Sequence, residues 1–177
     1  GRKYVFQTDL TDFYPFISGK RVYEMFVRVG FSADVASKLT KLTTFKGHLP
    51  QGAPTSTTIA NLVFEPTGCK LQALSVEYKL RMTTFVDDVT ISSQYQFKDI
   101  TPEMIKILEE DGFRISQNKT SYKSGITEIT GVRSLNNSMT TTRKFKEKYA
   151  QKSFLSESTI RGMEQYKRRV KSISDSK

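Results

Sequence analysis

Cysteine and histidine are almost absent from this sequence. Its 177 residues contain one cysteine, Cys69, and one histidine, His48. A single cysteine excludes a disulfide framework and any zinc or iron–sulfur centre built from several cysteines. A single histidine argues against a histidine-ligated metal or a Ser-His-Asp triad. We therefore interpret the chain as a reduced, intracellular protein, and Cys69 as a small buried hydrophobic residue.

Long apolar runs are also lacking. No run reaches the roughly 18 residues of a membrane-spanning helix, and the N-terminal residues carry no signal-peptide pattern, so we expect no membrane partner. Hydrophobic residues make up 37% of the chain and charged residues 26%, which is typical of a globular protein. A chain of this length, one domain or one domain and part of a second, buries a core without disulfides or metals.

Positive charge is in excess and is unevenly distributed. The net charge is +10, but residues 1–142 hold 17 Lys and Arg against 14 Asp and Glu, whereas residues 143–177 hold 11 against 4. Such a basic block attracts polyanions by counterion release, and nucleic acid is the commonest of them; a solvated basic tail is the alternative. An amphipathic helix is predicted in this block. Its cationic side chains are Arg161, Lys167, Arg168, Arg169 and Lys171.

The hydrophobic pattern predicts, in chain order, a strand, helices, a long helix, a hairpin, a helix and further strands. The predicted strands are 4–9, 80–85, 89–93, 113–116, 121–123 and 128–132. The predicted helices are 20–29, 33–44, 55–78 and 102–111, and a helical pattern resumes at residue 144. The apolar stripe of the long helix is assigned to Ile59, Leu62, Val63, Cys69 and Ala73. This order favours an α+β fold, an antiparallel sheet with helices packed on one face.

Three acidic residues stand where predicted strands end. Asp9 ends the first strand, and Asp87 and Asp88 occupy the turn between two apolar strands. Neighbouring carboxylates repel each other, so a fold that keeps them together usually neutralises them with a cation, and oxygen ligands favour Mg²⁺. Two such ions can clamp the attacking and leaving oxygens of a phosphoryl transfer. An ordinary Asp-rich turn is the alternative interpretation.

A loop rich in glycine and proline, residues 47–54, precedes the long helix. Gly52 lets a substrate approach the backbone closely, and the helix N-terminus behind the loop favours anionic groups. Taken alone, such a segment is more often a helix entry than a binding site.

Together these segments resemble the palm of reverse transcriptases, in particular those of bacterial retrons, group II introns and abortive-infection systems. The similar segments, in chain order, are 9–17 (DLTDFYPFI, motif A), 49–56 (LPQGAPTS, motif B, followed by Asn61-Leu62), 85–88 (FVDD, motif C), 112–120 (GFRISQNKT, motif D) and 129–132 (ITGV, the start of motif E). Five motifs in the right order are far more specific than any one of them. The resemblance implies a polymerase palm with a ferredoxin-like α+β core.

The resemblance also implies a catalytic centre. Asp9, Asp87 and Asp88 would be catalytic, and with the backbone carbonyl of Leu10 they would ligate two Mg²⁺ ions, which Mn²⁺ could replace. Lys119 would balance charge on the triphosphate or donate a proton to the pyrophosphate leaving group. A solvated surface lysine is the alternative for Lys119.

Nucleotide and nucleic-acid contacts follow from the same resemblance. The implied nucleotide-binding residues are Leu10, Phe13, Tyr14, Gln51 and Gly52. Tyr14 takes the position of an aromatic gate whose ring would clash with a 2′-hydroxyl, so deoxynucleotides would be preferred; the alternative is a core aromatic residue. Phe85 and the basic side chains between 161 and 171 would contact the primer or template.

Three features depart from the family's pattern. Phe85 replaces the commoner tyrosine, and Thr57 stands where the bacterial group usually has proline. The fingers that precede motif A in the family are largely absent, and residues 143–177 resemble only the start of a thumb after a palm at 1–142. We therefore expect the isolated chain to have little or no polymerase activity.

The leading hypothesis is a nucleotidyltransferase of the bacterial cytoplasm, an RNA-directed DNA polymerase that uses an RNA template, a DNA or RNA primer and dNTPs. Two alternatives stay open: a template-independent DNA polymerase of the same family that acts in antiviral defence, and a catalytically idle nucleic-acid-binding module. The three retained acidic residues argue against an idle module. A viral RNA-dependent RNA polymerase is disfavoured, because such enzymes usually carry Gly-Asp-Asp and lack an aromatic residue at the position of Tyr14. The oligomeric state is left open.

Overall fold

A computed structural model of the chain describes residues 2–134 and 138–175; Gly1 and Lys177, the outer ends of the two predicted domains, lie outside the described residues. The helices are α1 (Phe13–Phe16), α2 (Gly19–Val29), α3 (Ala33–Thr43), α4 (Ser56–Glu77), α5 (Thr101–Glu110), α6 (Arg143–Ala150) and α7 (Glu157–Asp175). The strands are β1 (Tyr4–Asp9), β2 (Arg81–Phe85), β3 (Asp88–Ser93), β4 (Ser121–Ser124), β5 (Thr127–Ile129), β6 (Val132–Ser134) and β7 (Met139–Thr141). The predicted α+β class is confirmed.

The strands form two sheets. A four-stranded sheet has the order β2-β3-β1-β4, so the strand that ends at Asp9 lies beside β3 of the motif C hairpin. A three-stranded antiparallel sheet has the order β5-β6-β7, with Thr127 opposite Ser134 and Val132 opposite Thr141. In the described part of the chain, no helix is long and apolar enough to cross a membrane.

The chain divides into two compact units. The larger comprises Phe6–Ile91 and Lys98–Ser121, and the smaller comprises residues 2–5, Ser92–Phe97 and the described residues from 122 to 175. All of the predicted catalytic residues belong to the larger unit. The predicted division into a palm at 1–142 and the start of a thumb at 143–177 stays a prediction.

Helix α4 supplies much of the core of the larger unit. Its buried side chains include Ala60, Phe64, Leu71 and Leu74, spaced three, four or seven residues apart as a helical face requires. The predicted stripe was wrong for Cys69 and Ala73, which are exposed. Cys69 stands two residues before Leu71, about 200° around the helix axis from it, so the two cannot share a face.

Two predicted strands differ in the structure. Residues 113–116 do not form a strand; of these, Ile115 makes an isolated antiparallel bridge with Leu10. The predicted strand 128–132 is instead a hairpin, because Thr130 and Gly131 both have positive φ, 42° and 82°. Two central residues of this kind make the tight turn that antiparallel strands favour.

The smaller unit packs α7 against β7. Met163 and Val170 of α7 are buried, and the Ser174 hydroxyl accepts a hydrogen bond from the Met139 amide at 2.9 Å. The Tyr166 hydroxyl donates to the Gly131 carbonyl at 2.9 Å. These contacts hold the basic helix to the three-stranded sheet within this unit.

Asp111, just after α5, ties that helix to α4. Its carboxylate accepts hydrogen bonds from the Thr67 hydroxyl at 2.7 Å and from the Lys70 ammonium at 2.6 Å. Burial raises the pKa of Asp111, but the hydrogen bonds from Lys70 and Thr67 and the charges of Lys70 and Arg21 outweigh it, so this pKa lies below its ordinary value. The ionised carboxylate therefore stabilises the larger unit.

We expect Asp111→Asn to lower the free energy of unfolding by about 1–3 kcal/mol at pH 7, the worth of hydrogen bonds to a charged group. A depressed folded-state pKa gives stability that is present above the unfolded pKa and is lost as the pH falls through the folded pKa. The difference between wild type and variant should therefore shrink from pH 7 to pH 3 in urea titrations. Glu110→Gln, which breaks an exposed pair with Lys106, is the control and should cost at most about 0.5 kcal/mol. An equal Asp111 effect at both pH values would contradict this account.

Candidate active site

The end of β1 and the motif C turn are joined by the backbone. The Leu10 amide donates a hydrogen bond to the Asp87 carbonyl at 2.9 Å. Asp9 and Asp87, which are 78 positions apart, are therefore brought to neighbouring backbone positions. The sequence predicted that these acidic residues converge, and the pairing of β1 beside β3 is what brings them together.

The motif D segment lies along the other side of Asp9. The Ser116 amide donates to the Asp9 carbonyl at 2.8 Å, and the Thr11 amide donates to the Arg114 carbonyl, also at 2.8 Å. These two bonds hold residues 113–116 alongside the end of β1, although this segment is not a regular strand. As a result the following turn carries Lys119 to the acidic residues.

Lys119 forms an ion pair in this centre. Its ammonium donates to Asp9 Oδ1 at 2.8 Å, and Asp9 is the more buried partner. The hydrogen bond and the charge of Asp9 raise the pKa of Lys119, and Asp87 and Asp88 add to this effect. Lys119 is thus held protonated by the acidic residues around it.

Asp88 is half-buried and lies close to the other two carboxylates. Burial raises its pKa above the ordinary value, and the negative charges of Asp87 and Asp9 raise it further, against a smaller opposing effect of Lys119. The three acidic side chains therefore lie close enough to repel each other, which is the condition that a bound cation relieves.

A cleft of about 320 Å³ opens at this centre. Of the predicted site residues, it is lined by Asp9, Leu10, Phe13, Tyr14, Gln51, Asp87 and Lys119. It is also lined by Thr11, Asp12, Pro15 and Ser116, to which the sequence assigned no role. Asp88 and Gly52 do not line it; Gly52 makes a turn with φ of 88° in the loop before α4.

The two aromatic residues of motif A have different environments. Phe13 is 3% exposed, and its ring centroid lies 6.2 Å from that of Phe64 and 6.1 Å from that of Phe113. Tyr14 is half-buried, and its hydroxyl lies 3.0 Å from the Thr57 hydroxyl. Phe13 therefore supports the floor of the cleft as a core residue, whereas Tyr14 stands at its edge.

The motif C turn has unusual backbone geometry. Val86 has φ of +55°, a conformation that is a genuine outlier for a β-branched residue. Phe85, predicted to contact nucleic acid, is 64% exposed. It lines a separate groove of about 460 Å³ between α4 and β2, together with Thr57, Cys69 and Met82.

The other predicted nucleic-acid-binding side chains lie on α7 in the smaller unit. Arg161, Lys167, Arg168, Arg169 and Lys171 are all exposed. The Lys167 ammonium lies 5.0 Å from the centroid of the Tyr149 ring, a cation–π distance. Within its own unit this helix therefore exposes five cationic side chains to solvent.

The acidic centre offers oxygen donors to a metal ion. Carboxylate oxygens and a backbone carbonyl are ligands of hard divalent cations such as Mg²⁺. Over residues 2–134 and 138–175, no three His, Cys, Asp or Glu side chains are placed so that they could share a metal ion. Lys119 takes the position of a cation at Asp9 Oδ1. The donor atoms are therefore of the kind that suits a hard divalent ion, although the described carboxylates are not arranged to share one in this structure.

Comparison with known proteins gives the family. Residues 1–166 match the reverse transcriptase (RNA-dependent DNA polymerase) family. The chain belongs to this family. It is 31% identical over 122 residues to the retron Ec86 reverse transcriptase of Escherichia coli, covering 68% of this chain and 38% of that protein. It is 35% identical over 123 residues to the retron Se72 reverse transcriptase of Salmonella heidelberg, covering 68% and 32%. The chain thus spans about a third of the length of these retron-type relatives.

Solved structures agree on the fold of a reverse transcriptase. Telomerase from Candida albicans, solved with a fragment of telomeric RNA, matches with a TM-score of 0.62 at 10% identity, over 80% of this chain and 32% of that chain. A foamy viral protease-reverse transcriptase, solved with double-stranded DNA, matches with a TM-score of 0.61 at 18% identity, over 93% and 27%.

Two residues that contact the predicted site residues received no role from the sequence, namely Ser116 and Thr57. Ser116 joins the motif D segment to Asp9 through its backbone amide, for which no side-chain pattern exists. Thr57 bonds to Tyr14, and its departure from the family's proline was the available signal for this contact.

Proposed function

We propose that this chain is the catalytic palm of an RNA-directed DNA polymerase, with residues 1–142 as palm and 143–177 as the start of a thumb. It would join a dNTP to a primer 3′-hydroxyl, opposite an RNA template, and release pyrophosphate. The observation that carries the proposal is the cleft in which the Leu10–Asp87 backbone bond and the Lys119–Asp9 ion pair meet. Membership of the reverse transcriptase family supports this reaction, and the bacterial cytoplasm stays its predicted location.

In this proposal the acidic residues hold the metal. Asp9, Asp87 and the Leu10 carbonyl would ligate two Mg²⁺ ions, for which Mn²⁺ could substitute, and Asp88 would support them. When bound, such ions activate the attacking oxygen and stabilise the leaving oxygen of an in-line transfer. The chain's own contribution is to fix its carboxylates through backbone hydrogen bonds, so that the reactants are positioned before the reaction.

Lys119 would change partner during the reaction. In the free chain it neutralises Asp9; with a triphosphate present, its ammonium would move to the phosphate oxygens and balance their charge. A lysine ammonium is protonated at neutral pH, so Lys119 would carry the proton that the pyrophosphate leaving group needs. Gln51 and Tyr14, both at the cleft, would border the nucleotide, with Gly52 in the adjoining turn.

Primer extension tests the reaction and the role of what surrounds the palm. The full-length gene product should extend a primer on an RNA template with dNTPs and Mg²⁺. The 177-residue chain should show little or no extension, because positioning contributes about 7–11 kcal/mol to such reactions and the chain spans only about a third of the length of its retron-type relatives. It should still bind nucleic acid through α7, with an affinity that falls steeply with salt.

Each outcome of this assay separates one hypothesis from another. Extension only with the RNA template present supports the proposal, whereas extension without any template favours the defence-type alternative. If the full-length protein extends no primer under either condition, the remaining hypothesis is a catalytically idle nucleic-acid-binding module. Robust extension by the 177-residue chain would contradict the predicted need for further segments.

The gate role of Tyr14 has its own test. We expect Tyr14→Ala to raise ribonucleotide incorporation relative to deoxynucleotide by about 10–200-fold, the range in which pocket shape discriminates small groups. The measurement is the ratio of kcat/KM for each nucleotide in the full-length protein. Tyr95→Ala, which removes an 81% exposed ring that does not line the cleft, should leave the ratio unchanged. If the ratio is also unchanged in Tyr14→Ala, Tyr14 is a packing residue and not a gate.

A further inference from the structure

Thr57 makes a contact that its family position does not explain. The sequence places it where the bacterial group usually has proline, a residue without a hydroxyl. In the structure the Thr57 Oγ1 and the Tyr14 Oη lie 3.0 Å apart and share a hydrogen bond between residues separated by 43 positions. The residue that departs from the pattern therefore contacts the candidate gate.

The position of Thr57 is fixed by the start of α4. The hydroxyl of the preceding residue, Ser56, is buried and donates to the Pro50 carbonyl at 2.5 Å. The Ile59 amide donates to the Thr55 carbonyl at 3.1 Å, so the first turn of the helix is formed. A helical threonine commonly turns its hydroxyl back to a carbonyl of the preceding turn, whereas the Thr57 hydroxyl bonds to Tyr14. The backbone at Thr57 is therefore held in place at the start of α4, beside the groove that Thr57 and Phe85 line.

The Tyr14 side chain is held in place less firmly by its own helix than Thr57 is by α4. It lies in α1, a helix of four residues whose N-cap, Asp12, has a left-handed backbone and makes no side-chain cap. Its ring makes an edge-to-face contact with Phe13, with centroids 5.7 Å apart, and is half-buried at the cleft. A tyrosine ring fixed at its hydroxyl end loses the rotation that would swing it out of the cleft.

We propose that Thr57 is a specificity-positioning residue, whose hydroxyl holds the Tyr14 ring in the orientation that excludes a 2′-hydroxyl from the nucleotide site. This inference rests on the proposed polymerase function. It assigns nucleotide discrimination in this chain to a pair of side chains, one from α1 and one from α4, instead of to the tyrosine alone. Because Thr57 is exposed, water competes for the bond and the expected effect is moderate.

The test is a double-mutant cycle in the full-length protein. Thr57→Val keeps the shape and removes the hydroxyl, and Tyr14→Phe removes the other partner. Each should lower the preference for dNTP over the matching rNTP by about threefold to tenfold, the range for one net hydrogen bond. The change should appear mainly as a lower KM for the ribonucleotide, and much less as a change in kcat for the ribonucleotide. The double variant should be no worse than either single variant, because both remove the same bond.

Two further variants complete the set. Thr57→Ser retains the hydroxyl and should restore most of the discrimination. Thr58→Val changes the neighbouring exposed threonine of α4 and should leave the ratio at the wild-type value. In protein labelled with ¹³C on the tyrosine rings, the Tyr14 signal, assigned by its loss in Tyr14→Phe, should shift in Thr57→Val and stay in place in Thr58→Val. This second readout does not depend on activity.

The outcomes separate this inference from the proposed function. If wild type extends a primer but the two single effects add, or Thr57→Val leaves the ratio unchanged, the positioning role is wrong and the polymerase function stands. If the Tyr14 signal does not move in Thr57→Val, the bond is absent. If wild type extends no primer with either nucleotide, the proposed function is wrong. The role of Thr57 in nucleotide discrimination is then wrong too, because it depends on that function.

Discussion

Asp87→Asn is expected to lower nucleotide addition by about 10³-fold or more while nucleic-acid binding stays at the wild-type level. The substitution keeps the size of the side chain but removes its charge. In the proposed polymerase, a hard divalent cation would then lose a ligand where phosphate charge must be stabilised. Binding is retained because phosphate contacts come from lysine and arginine side chains. The measurement is single-turnover primer extension by the full-length protein, together with a binding titration of the same duplex.

Asp99→Asn is the matched control for the loss of one carboxylate. Asp99 is exposed in the short 3-10 helix before α5 and does not line the cleft, so its variant should act within about twofold of wild type, as surface substitutions generally do. If the Asp87→Asn protein extends primers at the wild-type rate, the catalytic role assigned to Asp87 is wrong. A parallel loss of duplex binding would indicate misfolding instead.

Phe13→Ala is expected to lower the free energy of unfolding by about 3–5 kcal/mol, the cost of truncating a buried aromatic residue. Its ring packs against Phe64 and Phe113, whose own centroids lie 5.2 Å apart, so removal leaves a cavity among three rings. Urea unfolding of the chain, followed by far-UV circular dichroism, gives the difference from wild type.

Phe85→Ala provides the contrast, since both phenylalanines were predicted to contact substrate. Phe85 is largely exposed, so its truncation should change the free energy of unfolding by no more than about 0.5 kcal/mol. Equal losses for the two variants would contradict the division between a core Phe13 and a surface Phe85. If the Phe13→Ala protein has wild-type stability, the core role of Phe13 is wrong and the predicted nucleotide contact becomes the better interpretation.

Local patterns predicted the regular elements well. The long helix α4, the β2–β3 hairpin and α5 with Gly112 after it were anticipated within a residue or two. The errors arose where tertiary contacts decide. Residues 113–116 have strand composition, but Phe113 is drawn into the aromatic cluster and only Ile115 pairs with Leu10 in this stretch. Cys69 looks apolar, but its position around the helix places it on the exposed face.

The candidate site shows the same division between what sequence and tertiary structure decide. The sequence by itself determined the family, the α+β class and the acidic residues of the centre, because order and spacing of motifs are properties of the chain alone. Only the tertiary structure decided that Lys119 neutralises Asp9, that Phe13 is core and that Thr57 meets Tyr14. Each of these contacts joins residues far apart in the chain, and no local periodicity encodes which distant side chains a fold brings together.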